Sequence, residues 1–206
     1  MGTAPSVCLF IAHGVKGSMN SSLVSYFHSG LATHGFLTVK FNFPYAEGRW
    51  RFARKPDRTE VLVDSYQRVV EETRESEWKP NNIFLGGVSM GAAVASHVVA
   101  DRADISELKG LFFLSYPLHR PRNPAILGDK HLHKISQPMI FVAGTKDIYA
   151  QPRAVKSVVS SLRAKTQIHW VEGADRRFNK HKGRAIDSKT LKEIVETLAH
   201  WVNSNK

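Results

Sequence analysis

Cysteine is almost absent from this chain, which has Cys8 as its only cysteine among 206 residues. A lone cysteine excludes a disulfide framework and any zinc site that is built from several thiolates. Long apolar runs are also missing, since no run approaches the roughly 18 residues that cross a bilayer. The apolar run at 7–12 is too short for the core of a secretion signal. We therefore expect a cytoplasmic protein without a membrane span.

Acidic residues are scarce relative to basic ones, with 18 Asp and Glu against 29 Lys and Arg, which gives a net charge of +11. Such an excess favours acidic partners, either nucleic acid or an anionic small molecule. The segment 49–55 alternates cations with aromatic rings, which is typical of surfaces that stack single-stranded nucleic acid. Together with the cations of 176–182, the same segment would attract an anionic substrate. We favour a small-molecule substrate, because the case for nucleic acid rests on charge alone.

Apolar runs of strand length alternate with segments of helical period along the whole chain. Strict alternation of strand and helix predicts right-handed βαβ units and a parallel sheet. The six predicted strands span 7–12, 36–43, 83–88, 110–115, 139–143 and 168–171. The five predicted helices span 20–33, 59–75, 90–100, 152–162 and 187–203. We expect a single three-layer α/β domain over residues 1–206, with a mostly parallel six-stranded sheet and helices on both faces.

Two basic segments, 44–58 and 117–133, are predicted to be irregular loops. Each of them follows a predicted strand. In an open α/β sheet, the loops at the carboxyl ends of the strands form the rim where ligands bind. We therefore expect the functional residues to gather at this one edge of the sheet.

The motif Gly87-Val88-Ser89-Met90-Gly91 lies between a predicted strand and a predicted helix. A G-x-S-x-G sequence in this position is typical of the turn that presents a nucleophilic serine above a sheet. The turn is so tight that the residues two before and two after the serine must be small. It also holds the serine in a rarely populated backbone conformation. The alternative is a glycine-rich strand-to-helix turn in which Ser89 is incidental.

The end of the first predicted strand carries His13 and Gly14. A His-Gly pair in this place often precedes a backbone N–H that points at an oxyanion. We expect the N–H groups of Val15 and Met90 to form such an oxyanion hole, which stabilises the charge of a tetrahedral intermediate. The alternative is an ordinary glycine-containing loop.

An acidic residue, Asp147, follows the predicted strand at 139–143. It comes after the serine motif in the chain, which is the order expected of an acid that orients a catalytic imidazole. The alternative is a structural role, in which Asp147 caps the next helix or pairs with Lys146.

Four segments resemble the α/β-hydrolase superfamily, and in particular its dienelactone-hydrolase-like branch, which includes the testis-expressed thirty proteins. The segments are Asn42–Tyr45, Gly87–Gly91, Leu114–His119 and Gly144–Asp147. The resemblance covers essentially the whole chain. It implies esterase-type chemistry at a serine without a cofactor, on a core of six strands that lacks the first strands of the family and any cap domain. No cluster of metal-ligating residues is visible in the sequence, so we expect no metal site.

The stretch 173–178 departs from the resemblance. The superfamily places its catalytic histidine here, and this chain has Arg176 instead. A guanidinium is not deprotonated in a protein, so Arg176 cannot act as the base. His169 lies within the last predicted strand and His200 near the end of the last helix, so both are poorly placed. His181 lies on the same loop, five residues late, and is the candidate base.

Two hypotheses follow. In the first, the chain is a serine hydrolase that acts on an ester or related acyl bond, with Ser89 as nucleophile and Asp147 orienting His181. In the second, the chain has lost catalysis and serves as a scaffold or binding module, because an arginine replaces the histidine. In either case, five residues of the rim are expected to contact the ligand: His13, Gly14, Tyr45, His119 and Arg176.

Overall fold

Six parallel strands form the central sheet in a computed structural model that describes residues 6–47, 55–102, 105–180 and 187–206. The described residues contain these six strands and a separate antiparallel pair, β5 and β6. In chain order the strands are β1 (Val7–Ala12), β2 (Leu37–Val39), β3 (Asn82–Val88), β4 (Leu108–Leu114), β5 (His119–Arg120), β6 (Asn123–Leu127), β7 (Met139–Gly144) and β8 (Thr166–Val171). The sheet has the order β2-β1-β3-β4-β7-β8, and all of its pairs are parallel. The six-stranded parallel sheet predicted from the alternating pattern is therefore confirmed.

Helices cover the sheet on both faces, as the continuous apolar runs of the strands require. Every residue of β1 and of β7 is buried, which is the pattern of a strand with both faces covered. Within the described residues the helices are α1 (Ser22–Ala32), α2 (Thr59–Glu75), α3 (Met90–Arg102), α4 (Pro152–Ser161) and α5 (Ser188–Asn203). Helices α1 and α5 pack on one face, and α2, α3 and α4 pack on the other. The predicted three-layer architecture is confirmed.

Helix α5 shows how the sequence specifies these elements. Its N-cap is Asp187, whose carboxylate accepts the N–H of Lys189 at 3.1 Å and the hydroxyl of Thr190 at 3.1 Å. The apolar stripe of the helix is buried throughout: Leu191, Ile194, Val195, Leu198 and Val202. The same core cluster includes Phe178 of the loop that carries Arg176, and the ring of Phe178 contacts that of Phe27 on α1.

Two of the predicted boundaries are wrong. The strand expected at 36–43 is shorter, because only Leu37–Val39 pairs with β1. The segment 117–133, expected to be an irregular loop, contains the antiparallel pair β5–β6 and a short 3-10 helix at Lys130–Lys134. Strand β6 is almost wholly exposed and contains Pro124, so it lacks the buried alternation by which a strand is recognised.

The strand order places a crevice at the carboxyl ends of β1 and β3. The chain passes from β1 to β2 on one side of β1, and then returns to β3 on the other side. At such a switch point the connections leave in opposite directions, and ligands of open α/β sheets bind there. The loop after β1 and the turn after β3 are the two walls of this crevice. Within the described ranges, no helix is long and apolar enough to cross a membrane.

Candidate active site

Ser89 lies in the sharp turn between β3 and α3, in the left-handed region with φ of +54°. This conformation costs a non-glycine residue about 1–3 kcal/mol, so the surrounding structure must enforce it. The N–H of Ser89 donates to the carbonyl of Leu114 on β4 at 2.8 Å, and the carbonyl of Ser89 accepts the N–H of Ala93 at 3.2 Å. Ser89 is thus held between a sheet and the first turn of a helix, which is the geometry of a nucleophile turn.

The two glycines of the motif are explained by the close approach of β1. A Cβ on Gly87 would lie 2.6 Å from the carbonyl oxygen of Ala12, and one on Gly91 would lie 2.4 Å from the same oxygen. Gly87 is also the register partner of Ala12 in the sheet. Any side chain at either position would therefore push the turn away from β1.

The hydroxyl of Tyr66 on α2 is hydrogen-bonded to the backbone near the end of β3. It accepts the N–H of Gly86 at 3.0 Å and lies 2.9 Å from the carbonyl of Gly86. The side chain of Tyr66 is fully buried. The sequence did not reveal this role, because a tyrosine on the apolar stripe of a helix has the same pattern as any core residue.

The loop after β1 lies directly against the serine. A Cβ on Gly14 would be 3.5 Å from the Cβ of Ser89 and 4.0 Å from its Oγ. The carbonyl of Gly14 accepts the N–H of Gly17 at 2.9 Å. Because a peptide group is planar and trans, the N–H of Val15 points away from that carbonyl. Among the described residues, the N–H groups of Val15 and Met90 have no acceptor, so both are available to an oxyanion.

His13 and Tyr45 hold this loop in place. The Nε2 atom of His13 accepts the N–H of Phe43 at 3.1 Å, and its Nδ1 lies 2.9 Å from the carbonyl of Gly14. Burial lowers the pKa of His13, which favours the neutral ring that this arrangement needs. The hydroxyl of Tyr45 donates to the carbonyl of Val15 at 2.8 Å. Burial raises the pKa of Tyr45 to about 12, so the phenol keeps its proton. Both rings bond to the loop itself.

Asp147 follows β7 and is only 2% exposed. Its Oδ1 accepts the N–H of Tyr149 at 2.9 Å, whereas its Oδ2 has no hydrogen-bond partner among the described residues. Burial raises the pKa of Asp147, and the N–H of Tyr149 and the charge of Arg176 act in the opposite direction. An acid with one bound and one free oxygen is equipped to receive a further N–H donor.

His119 lies at the start of β5 and is buried. Its Nε2 accepts the N–H of Gln151 at 3.4 Å, and its Nδ1 lies 3.3 Å from the carbonyl of Arg120. The charge interaction of His119 with Asp147 places it near the acid. Its ring therefore contacts the backbone on both sides.

Arg176 contacts Ser89. Its Nη2 donates a hydrogen bond to the Oγ of Ser89, and its guanidinium carbon stands 4.1 Å from the centre of the Tyr149 ring. The loop is held in place because Lys146 donates its N–H to the carbonyl of Ala174 at 2.8 Å. The position where the superfamily has a histidine is therefore in contact with Ser89, but an arginine occupies it. The stacking ring of Tyr149 has no recognisable sequence signal.

The candidate base, His181, lies outside the described residues, as do residues 49–54 of the basic segment. His169 lies within β8 and His200 in the last turn of α5, as expected. Among the described residues, the one side chain hydrogen-bonded to the Oγ of Ser89 is Arg176. No group of three or more His, Cys, Asp or Glu that could hold a metal ion is found in the described ranges.

Comparison with known proteins gives the same architecture. Residues 5–203 match the family described as alpha/beta hydrolase domain. An alpha-beta serine hydrolase homologue from Coxiella burnetii superposes with a TM-score of 0.73 at 22% identity, covering 97% of this chain and 86% of that one. A serine hydrolase without lid from Xanthomonas campestris superposes with a TM-score of 0.74 at 20% identity, and the match covers 98% of this chain and 83% of that one. A dienelactone hydrolase from Anabaena variabilis superposes with a TM-score of 0.72 at 14% identity, and the match covers 98% of this chain and 87% of that one.

These likenesses concern the fold. The predicted resemblance to α/β-hydrolases is confirmed by the family match over nearly the whole chain. The described residues contain no cap domain above the crevice, in agreement with the expected reduced core.

Proposed function

We propose that this chain, which belongs to the α/β-hydrolase family, is a serine hydrolase that cleaves an ester or related acyl bond with Ser89 as its nucleophile. The observation that supports this most is the left-handed Ser89 at the end of β3, with two unbonded N–H groups beside it. A strained serine facing free backbone donors has no evident structural purpose. The same arrangement is what acyl transfer requires.

In the proposed reaction, the Oγ of Ser89 attacks the carbonyl carbon of the substrate. The carbonyl electrons move to the oxygen, which receives hydrogen bonds from the N–H groups of Val15 and Met90. Each such donor contributes roughly 3–4 kcal/mol to the transition state. During the attack the base takes the hydroxyl proton of Ser89. When the tetrahedral intermediate collapses, the base gives this proton to the departing alcohol, and an acyl group remains on Ser89. Water then attacks the acyl carbon, the base passes a proton of the water to the Oγ of Ser89, and the acid is released.

Among the described residues, no side chain that is hydrogen-bonded to Ser89 is able to act as the base. Because Arg176 cannot accept a proton, we assign this role to His181, with Asp147 as the acid that orients it. Gly14 and His119 then border the bound acyl group, and Arg176 contacts it. His13 and Tyr45 act through the oxyanion loop, to which both are bonded.

A fluorophosphonate probe tests the nucleophile. Such a probe phosphonylates an activated serine, so the native protein should be labelled and Ser89→Ala should not. Ser115→Ala is the matched control, because Ser115 also follows a strand of the sheet, has φ of +55° and is buried with an unbonded hydroxyl. Loss of labelling in the Ser115 variant alone, or equal labelling after Ser89→Ala, would contradict the assignment.

The base is tested by turnover of a simple ester. His181→Ala should lower turnover by about 100-fold or more, since a positioned base contributes that much. His169→Ala, in β8 and away from the carboxyl edge, should leave turnover within about twofold, the range of a surface change. Equal effects of the two substitutions would remove His181 from the proposal.

A second candidate function is a binding module that does not turn over. The observation in its favour is the contact of Arg176 with Ser89, because a guanidinium bound to the hydroxyl occupies the place of the base. If ester hydrolysis by the native protein equals that of Ser89→Ala, and neither is labelled, the binding module replaces the hydrolase as the better interpretation.

A further inference from the structure

Arg176 forms no ion pair among the described residues, although it interacts with the charge of Asp147. Among the described residues, no Asp or Glu oxygen lies within ion-pair distance of its guanidinium. The group has five N–H donors, and its one recorded hydrogen bond goes to the neutral Oγ of Ser89. The residue is half-buried. Donors that are partly buried without acceptors are costly, so the free N–H groups of Arg176 indicate a ligand that accepts hydrogen bonds.

Backbone donors also lie in the segments next to Ser89, because Gly14 packs against its side chain and Met90 follows it in the chain. The N–H groups of Val15 and Met90 lack acceptors within the described part of the chain. Met90 begins α3, a helix of 13 residues, whose N-terminus carries a partial positive charge. A guanidinium, a hydroxyl and two free amides therefore surround one small region.

We infer that this region is a carboxylate site, whose ligand is the acid released by the proposed hydrolysis, an assignment that rests on the proposed function above. One carboxylate oxygen binds the amides of Val15 and Met90, and the other binds the guanidinium of Arg176. Hydrogen bonds between charged groups are roughly twice as strong as neutral ones. The carboxylate therefore displaces the neutral Oγ of Ser89 from the guanidinium.

The charges around the site favour a monoanion over a dianion. Asp147 is buried beside Arg176 and interacts with its charge. Asp175 precedes Arg176, and its carboxylate accepts the N–H groups of Arg177 at 2.8 Å and Asn179 at 3.0 Å. Both carboxylates repel an incoming anion, and they repel a phosphate dianion more strongly than a carboxylate. A planar carboxylate also matches the flat guanidinium in shape.

This site has a consequence for catalysis. An acid held by Arg176 and the oxyanion amides remains in the pocket after the acyl group has been hydrolysed. The acid then competes with the next substrate molecule, so turnover slows as product accumulates. An enzyme with a histidine at position 176 would lack this second anchor for the acid.

Calorimetric titration of the whole protein with benzoate tests the inference. Benzoate should bind saturably, and inorganic phosphate should bind at least about tenfold more weakly, which corresponds to one charged hydrogen bond. Arg176→Gln should weaken benzoate binding at least about tenfold. Arg177→Gln is the control, because it removes the same charge from the neighbouring, exposed residue. It should change the affinity by less than about twofold.

A second measurement follows the guanidinium resonance of Arg176 in the native protein and in Ser89→Ala. In the native protein, the guanidinium nitrogen resonance of Arg176 should shift on addition of benzoate. The same resonance should also shift when benzoate is added to Ser89→Ala. Absence of saturable benzoate binding, phosphate binding as tight as benzoate, or equal losses in the two arginine variants would each overturn the inference. Fluorophosphonate labelling of Ser89 is independent of these titrations, so failure of the carboxylate site and failure of the hydrolase are distinguishable.

Discussion

The guanidinium of Arg176 donates a hydrogen bond to the Oγ of Ser89. A hydrolytic serine needs the reverse arrangement, in which its hydroxyl donates to a neighbouring base. The donor at Arg176 instead engages a lone pair of the attacking oxygen. Asp147 still has a free Oδ2, and the amides of Val15 and Met90 still lack acceptors in the described residues. Within the described residues, one side chain therefore separates this arrangement from a complete triad.

The first prediction is that Arg176→His increases ester hydrolysis when it is introduced into His181→Ala, which lacks the proposed base. An imidazole at this position is able to accept the proton of Ser89 and to donate its other N–H to the Oδ2 of Asp147. A positioned base contributes 10²–10⁴-fold, so kcat/KM for p-nitrophenyl acetate should rise by about 100-fold. The rise should follow the deprotonation of an imidazole in a pH profile.

Two variants serve as controls for this prediction. Arg176→Gln removes the guanidinium without adding a base, so it should not reproduce the increase. Ser89→Ala combined with Arg176→His should abolish it. If the folded protein with both His181→Ala and Arg176→His hydrolyses the ester no faster than His181→Ala alone, Ser89 and Asp147 are not aligned as a triad with position 176.

The principal site positions could be predicted because they follow strands. Ser89 and Asp147 come shortly after the buried strands β3 and β7, and Arg176 follows the half-buried edge strand β8. The carboxyl ends of parallel strands meet at one edge. Hydrophobic pattern and chain order are therefore sufficient to bring them to the same rim. The contact between Arg176 and Ser89 follows from this topology.

Other features depend on side-chain direction, which a single sequence does not encode. Tyr45 and His13 were expected to contact a ligand, and their polar atoms bond to the loop at Gly14 and Val15. The hairpin β5–β6 was missed because its residues are exposed and interrupted by proline. For Tyr45, the deciding contact is with Val15, 30 positions away in the chain.

The second prediction concerns the contact between Gly91 and Ala12. Gly91→Ala would place a Cβ 2.4 Å from the carbonyl oxygen of Ala12. Overpacking against backbone should lower the free energy of unfolding by about 3 kcal/mol. Urea denaturation measures the change. Gly128→Ala is the matched control, because its Cβ would be 3.6 Å from the nearest atom, and it should stay within about 0.5 kcal/mol. Similar losses in both variants would rule out the close approach.

The third prediction is that Tyr45→Phe destabilises the loop after β1, which contains Gly14 and Val15. The substitution removes the hydroxyl that donates to the carbonyl of Val15 at 2.8 Å. Loss of a buried hydrogen bond should lower the free energy of unfolding by about 1–2 kcal/mol. A displaced amide at Val15 should also slow fluorophosphonate labelling of Ser89 by about tenfold. Tyr26→Phe, whose hydroxyl makes an exposed bond of 3.4 Å to Ser188, should leave labelling unchanged. Unaltered labelling in Tyr45→Phe would show that the loop does not need this bond.

The fourth prediction is that Asp147→Asn becomes progressively more favourable to stability as pH rises. Burial raises the pKa of Asp147 above its ordinary value of 3.8, despite the N–H of Tyr149 and the charges of Arg176 and His119, while Asp175 adds to the rise. The folded protein therefore holds this proton more tightly than the unfolded chain does. Between the ordinary and the raised pKa, the free energy of unfolding of the native protein falls as pH increases.

Asparagine does not titrate, so Asp147→Asn lacks this loss. The free energy of unfolding of the variant minus that of the native protein should thus be larger at about pH 7 than at about pH 3, as measured by urea denaturation. Asp101→Asn should show the opposite trend, because hydrogen bonding to His97 lowers the pKa of Asp101, so its charge stabilises the folded state at neutral pH. If the difference in free energy of unfolding does not change with pH for Asp147→Asn, while Asp101→Asn shows its expected trend, the carboxyl of Asp147 is solvated or already paired. Its Oδ2 would then not be free to receive the imidazole that Arg176→His introduces.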